Sequence, residues 1–158
     1  MLLQVKYLKR SFSDILKDEM SKNENIVTVL ASTAHDSALD ELFIYPKRIM
    51  GVGISEEWAL TISGGLSISS YRLVVSIYST FIQLTYDELS HDVARMNLVL
   101  TILIDLAGLV GNDGNIHLET LLYSIPNVSI TMASGTSETA SLLNHHSPFA
   151  IRYPGESV

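Results

Sequence analysis

Hydrophobic positions along the chain follow two alternating periods. In "SFSDILKDEMSKN" they recur every three to four residues and predict an amphipathic helix, whereas "NIVTVLAS" is the β-branched run of a buried strand. "DSALDELFIYP" returns to helical spacing and stops before Pro46, and "RIMGVG" predicts the next strand. A helix is expected from Ser55 to about Ser69, then strand "YRLVVSIYS" and a long helix from Thr80 to about Asn97. "LVLTILID" is the most apolar strand, "LAGLVGNDGN" a loop, and "IHLETLLYSI" a further helix. Strand "NVSITMAS", helix "TSETASLLNHH" and strand "FAIRYP" close the pattern, without internal repeats.

Helices of that length between strands suit parallel crossovers. The expected architecture is therefore a single α/β domain over 1–158, three-layered, with a mostly parallel sheet of about six strands and helices on both faces. In such sheets ligands bind outside the carboxyl ends of the strands. Chemistry is thus expected in "GVGISEE", "YSTF" and "AGLVGNDGNIH".

Composition narrows the function. Apolar residues reach 47% against 17% charged, which favours a core-rich globular chain over a disordered one. A net charge of -7, with ten Lys and Arg scattered singly, argues against nucleic acid and against a membrane surface as partners. Without cysteine the chain has no disulfides, thiolate nucleophiles or thiolate metal sites, which points to the cytoplasm. "MLLQVKYLKRSFSD" lacks a hydrophobic region of signal-peptide length, and "NLVLTILIDLAGLVG" is too short to span a bilayer and contains Asp105, so the chain reads as soluble.

"GVGISE" begins like a dinucleotide fingerprint but carries Glu56 at the third glycine position, where a carboxylate would repel a pyrophosphate. No phosphate-binding P-loop, nucleophile elbow or zinc-protease helix motif is present. Two readings of Glu56 and Glu57 stand. Ser55 could cap the helix while the two acids offset its macrodipole; or a glutamic acid enclosed by Val52, Ile54 and Trp58 would favour its neutral form and share a proton with a ligand nitrogen. Tyr78 and Phe81 are either core aromatics or a stacking shelf for a flat ring. His117 is a loop histidine, and the tandem His145 and His146 lack partners at ligand spacing. Gly64 and Gly65 inside a helix suggest a close neighbour, either the sheet or a second chain.

"VGISEEWAL", "IYSTFIQLTYDELSHDVARMNL", "AGLVGNDGNIH" and "IRYP" occur in the order and spacing of the pyrimidine-binding domain of 1-deoxy-D-xylulose-5-phosphate synthase, a transketolase-like family that uses thiamine diphosphate. The chain resembles that family over about residues 11–154. The resemblance implies the thiamine-diphosphate-binding fold, a transferase of isoprenoid biosynthesis, and a dimer. It makes Glu56 the catalyst that hydrogen-bonds the aminopyrimidine nitrogen and promotes proton removal from the cofactor, which then decarboxylates pyruvate and passes two carbons to glyceraldehyde 3-phosphate. It implies that Phe81 stacks on the pyrimidine ring, with Ile54 and Tyr78 also lining the cofactor, and that Glu57 is helix-capping charge. Tyr78, Asp113, His117 and Arg152 match substrate positions, His117 also a catalytic one.

Only the pyrimidine half of the cofactor is expected to bind here. Magnesium and the diphosphate belong to a separate domain, and no Gly-Asp-Gly motif with its downstream asparagine is found, so the diphosphate-binding and C-terminal domains are expected on a partner domain or subunit. The isolated chain is expected to be inactive. Several positions depart from the family: Glu57 and Trp58 replace Gln and His, Leu84 and Leu106 replace arginines, and Ile116 and Glu119 replace Thr and Gly. Losing two arginines removes cations that would hold a sugar phosphate. A non-catalytic assembly module, or transfer to a non-phosphorylated substrate, are the competing expectations.

Overall fold

The computed structural model describes residues 2–34, 38–107, 118–132 and 143–154. The chain opens with helix α1 (Leu2–Lys22), which starts nine residues earlier than its clearest apolar periodicity. Phe12, Leu16 and Met20, spaced by one turn, are buried against the sheet. Strands β1 (Ile26–Leu30), β2 (Ile49–Gly51), β3 (Arg72–Tyr78), β4 (Leu100–Ala107), β5 (Ser129–Met132) and β6 (Phe149–Pro154) follow the expected segments. All six pair in parallel, in the order β2-β1-β3-β4-β6-β5.

Two apolar layers cover the sheet. One joins Val29, Val75, Ile77, Ile102 and Ile104 to Ala59 and Leu60 of helix α2 (Glu56–Ile68). The other joins Leu30, Val74, Leu103 and Ile151 to α1 and to Leu39 and Leu42. Strands between two layers need side chains that are mostly apolar on both faces, which is why β3 and β4 read as hydrophobic runs interrupted only by single polar residues such as Ser76 and Thr101. No helix among the described residues is long and apolar enough to cross a membrane.

Three expected helices take other forms. Leu39–Ile44 and Leu118–Ser124 are 3-10 helices, tight one- to two-turn connectors. The long helix expected over 80–97 divides into a 3-10 turn at Ile82–Thr85 and a π-helix at Glu88–Ala94. Its buried residues explain the division. Ile82 and Thr85 lie three apart, which a 3-10 turn eclipses, whereas Leu89, Val93 and Ala94 lie four and five apart, which wider winding brings to one face. The wide ladder is closed by Arg95 N–H to Ser90 C=O at 3.2 Å and Leu98 N–H to Val93 C=O at 3.1 Å. The helix expected in "TSETASLLNHH" lies largely outside the described residues.

The glycine pair in α2 meets no close neighbour. A Cβ on the buried Gly64 would rest 3.7 Å from Leu98 and 3.8 Å from Val93, and one on the exposed Gly65 would meet nothing within 4 Å. Tight packing on the sheet therefore does not explain them.

Candidate functional site

The β2–α2 connection is built by backbone geometry. Gly53 sits at φ 74°, a left-handed conformation that side chains avoid, and it turns the chain from β2 into the helix. The second glycine of "GVGISE" thus serves a turn, while the first, Gly51, has open space around it.

That turn leaves the first two helical residues on opposite sides. Glu56 is 3% exposed, on the face shared with Ala59, Leu60 and Ser63, and Glu57 is exposed. Ser55 stands at the N-cap but its side chain makes no capping hydrogen bond, so the capping reading loses its main support. Among the described residues nothing hydrogen-bonds to or pairs with the Glu56 carboxyl group. Burial of such a group without a partner costs about 1 to 3 kcal/mol. The expected apolar enclosure needs correction: Val52 is packed against the core, but Ile54 is 84% and Trp58 54% exposed. Trp58 follows Glu57 on the outer side of α2, and Ile54 sits on the protruding turn, so Glu56 is buried by the helix's inward face instead.

Tyr78 ends β3, and Phe81 follows in a turn closed by Phe81 N–H to Tyr78 C=O at 3.0 Å. The rings meet edge to face, centroids 6.2 Å apart at 69°. Tyr78 is half-buried while Phe81 is 41% exposed, so Phe81 is a presented ring and not a core aromatic. Leu84 is also exposed, on the short helix that follows.

Arg152 is half-buried near the end of β6, in register with Ile104 and Met132. Glu56, Tyr78, Phe81 and Arg152 thus all lie at the carboxyl ends of parallel strands or in the turns that leave them. Asp113, His117 and Ile116 lie outside the described residues, as does the side chain of Leu106. His145 stacks on Phe149 at 4.1 Å and 12°, and its carbonyl accepts a hydrogen bond from Arg72, so its place is structural.

Asp105, the acid that ends the most apolar run of the chain, is fully buried near the end of β4. Two shallow clefts of about 350 and 340 Å³ lie elsewhere, along the π-helix, lined by Asp87, Glu88, His91 and Asp92 and by Ser90, His91, Arg95, Pro126 and Asn127. Among the described residues no group of three or more His, Asp or Glu side chains could hold a metal ion.

A buried carboxyl group at a helix start and an exposed ring at a strand end thus share the carboxyl-end side of a parallel α/β sheet, the side on which open sheets of this class bind their ligands. Residues 8–156 match the family model for the pyrimidine binding domain of transketolase, and the chain belongs to that family. It is 38% identical over 158 residues to 1-deoxy-D-xylulose-5-phosphate synthase from Listeria monocytogenes serotype 4b, covering 91% of this chain and 26% of that enzyme. The synthase from Pelotomaculum thermopropionicum is 39% identical over 140 residues, covering 83% of this chain and 22% of the enzyme. The resemblance read from the motifs is thereby borne out, and the chain spans about a quarter of the length of these relatives.

Solved structures agree on the fold. A split-gene transketolase described as an inactive beta4 tetramer superposes with a TM-score of 0.76 at 18% identity, covering 94% of this chain and 52% of that one. Transketolase from Campylobacter jejuni gives 0.76 at 16% identity, covering 92% of this chain and 25% of that one.

Proposed function

We propose that this chain is the pyrimidine-binding part of a thiamine-diphosphate-dependent transferase of the 1-deoxy-D-xylulose-5-phosphate synthase kind. The observation that carries the reading is Glu56, buried to 3% exposure without a partner among the described residues. A carboxyl group in that state accommodates an aminopyrimidine nitrogen, with which it can share a proton inside a dry site. Phe81 supplies an exposed ring for stacking, Tyr78 braces it edge-on, and Ile54 offers an apolar contact. These residues suit the pyrimidine half of the cofactor. When bound, the cofactor supplies the electron sink that cleavage of pyruvate requires. This chain's own share is to hold the ring by Phe81 and to hold or pass a proton at the Glu56 carboxyl, with substrate binding assigned to Arg152, Asp113 and His117 by the family resemblance.

Magnesium and the diphosphate fall to a separate domain in this reading, so the chain alone is inactive. A homodimer is part of the proposal. Trp58, Thr61, Gly65 and Ile68 form an exposed stripe along α2, which a second copy would cover. The beta4 assembly of the split-gene transketolase supports self-association of such chains.

Calorimetry of thiamine diphosphate and magnesium tests the reading, on the chain alone and mixed with a diphosphate-binding domain encoded in the same gene or beside it. Binding in the mixture alone, lost in Glu56→Gln, is the expected result. Binding in neither would favour a non-catalytic assembly module. Enzyme-like consumption of pyruvate and glyceraldehyde 3-phosphate by the chain alone would overturn the inactive half-site. The exposed Leu84, where the synthase family carries arginine, favours one second reading, transfer to a non-phosphorylated acceptor. Turnover with neutral aldehydes but not with sugar phosphates would select it.

A further inference from the structure

Sulfur chemistry in this chain rests on methionine alone, since there is no cysteine to intercept an oxidant. The four methionines among the described residues fall into two groups. Met20 is 0% exposed and Met50 is packed against the core, whereas Met96 is 50% and Met132 52% exposed. Met96 precedes the amino end of β4, at the opposite end of the sheet from the candidate site. Met132 ends β5 on the carboxyl-end side that Glu56, Phe81 and Arg152 share.

Register fixes its neighbour. Met132 is paired with Arg152 of β6, and on its other side Arg152 is paired with Ile104 of β4. Two residues earlier, the paired Ile130 and Ala150 belong to the apolar layer that includes α2, as does Ile104. Strand alternation therefore puts Ile104, Arg152 and Met132 in one row across three strands, on the α2 face of the sheet. Neighbouring strands lie about 4.8 Å apart, so the long side chains of Met132 and the half-buried Arg152 are within reach of each other. A thioether is only a weak hydrogen-bond acceptor for a guanidinium group. Oxidation to the sulfoxide turns the same side chain polar and gives it an oxygen acceptor.

We infer that Met132 is a reversible oxidation site whose sulfoxide binds the Arg152 guanidinium group. Hydrogen peroxide is the oxidant. The sulfur gives up two electrons, the O–O bond breaks, one oxygen stays as S=O and the other leaves as water with both protons. An Arg152 N–H then donates to the new oxygen. Any effect on substrate rests on the role given to Arg152 in the proposed function, but the oxidation and the new hydrogen bond do not.

The test treats the purified chain with hydrogen peroxide and follows each methionine by peptide mass mapping. Met132 and Met96 are expected to oxidise at least about tenfold faster than Met20, because susceptibility follows exposure. The Nε–H resonance of Arg152, assigned by its loss in Arg152→Lys, should move on oxidation in the wild type and in Met96→Leu but not in Met132→Leu. Methionine sulfoxide reductases should return it to its starting position. Oxidation of Met132 as slow as that of Met20 would overturn the inference. So would an Arg152 resonance that stays in place while Met132 is fully oxidised, or that moves equally in Met132→Leu. With the diphosphate-binding domain present, oxidation should raise KM for glyceraldehyde 3-phosphate about fivefold, the net worth of one hydrogen bond, with kcat little changed. An unchanged KM beside a shifted Arg152 resonance would uphold the oxidation site and refute the assignment of Arg152 to the substrate.

Discussion

Replacing Glu56 with leucine separates a working site residue from helix-capping charge by the sign of its effect on stability. Glu56 is 3% exposed and, among the described residues, unpartnered, so the folded chain bears a desolvation cost of about 1 to 3 kcal/mol. Its position in the first turn of α2 returns about 0.3 to 1 kcal/mol through the helix macrodipole. Leucine, of similar volume, removes both terms, so the variant should be more stable by about 1 to 2 kcal/mol. For a chain of this size that raises the melting midpoint by about 3 to 6 °C. Urea denaturation and calorimetric melting of the purified chain measure the change, and the same protein mixed with a diphosphate-binding domain should lose thiamine diphosphate binding. A lower midpoint would refute the reasoning, because it would mean that Glu56 stabilises the helix start. The expected combination, greater stability with lost binding, is the trade-off of a site residue held in an unfavourable place for its chemistry.

Phe81→Ala should change stability by less than about 1 kcal/mol, since the ring is already 41% exposed, yet weaken cofactor binding in the mixed system at least tenfold; calorimetry reads both. Alanine has opposite effects at two glycines. At Gly53, with φ at 74°, it should cost about 1 to 2 kcal/mol, whereas at Gly65 it should gain about 0.5 to 1 kcal/mol in the monomer and weaken any dimer that closes over α2, as chemical denaturation and light scattering would show. Arg48→Ala should lose about 2 kcal/mol, because one guanidinium nitrogen bonds the carbonyls of Met20 at 2.7 Å and Asn23 at 3.1 Å, tying the end of α1 to the start of β2.

The succession of strands along the chain, the parallel sheet and the family were legible in the sequence because each rests on signals held in short segments, whereas the order of the strands across the sheet was not. A short, β-branched run such as "YRLVVSIYS" reads as a strand covered on both faces, and the "GVGISEEWAL" and "YSTF" phrases hold their chemistry in consecutive residues. The winding of residues 82–94 was not legible. Periodicity predicted one helix there, but the spacing of Ile82, Thr85, Leu89 and Val93 is satisfied by a tight turn followed by a wide one once α2 and the sheet are in place. The site shows the same division. Residue spacing marked Glu56, Glu57, Tyr78 and Phe81 as candidates but could not by itself choose between the two acids or say whether Phe81 was core or shelf; the family resemblance chose Glu56 and a stacking Phe81. Those choices depend on which face of α2 meets the sheet and on how far the turn after β3 projects, and packing between distant segments sets both. Sequence by itself determined which residues are able to do chemistry; tertiary structure decided which of them are buried, because burial is a property of neighbours and not of the residue.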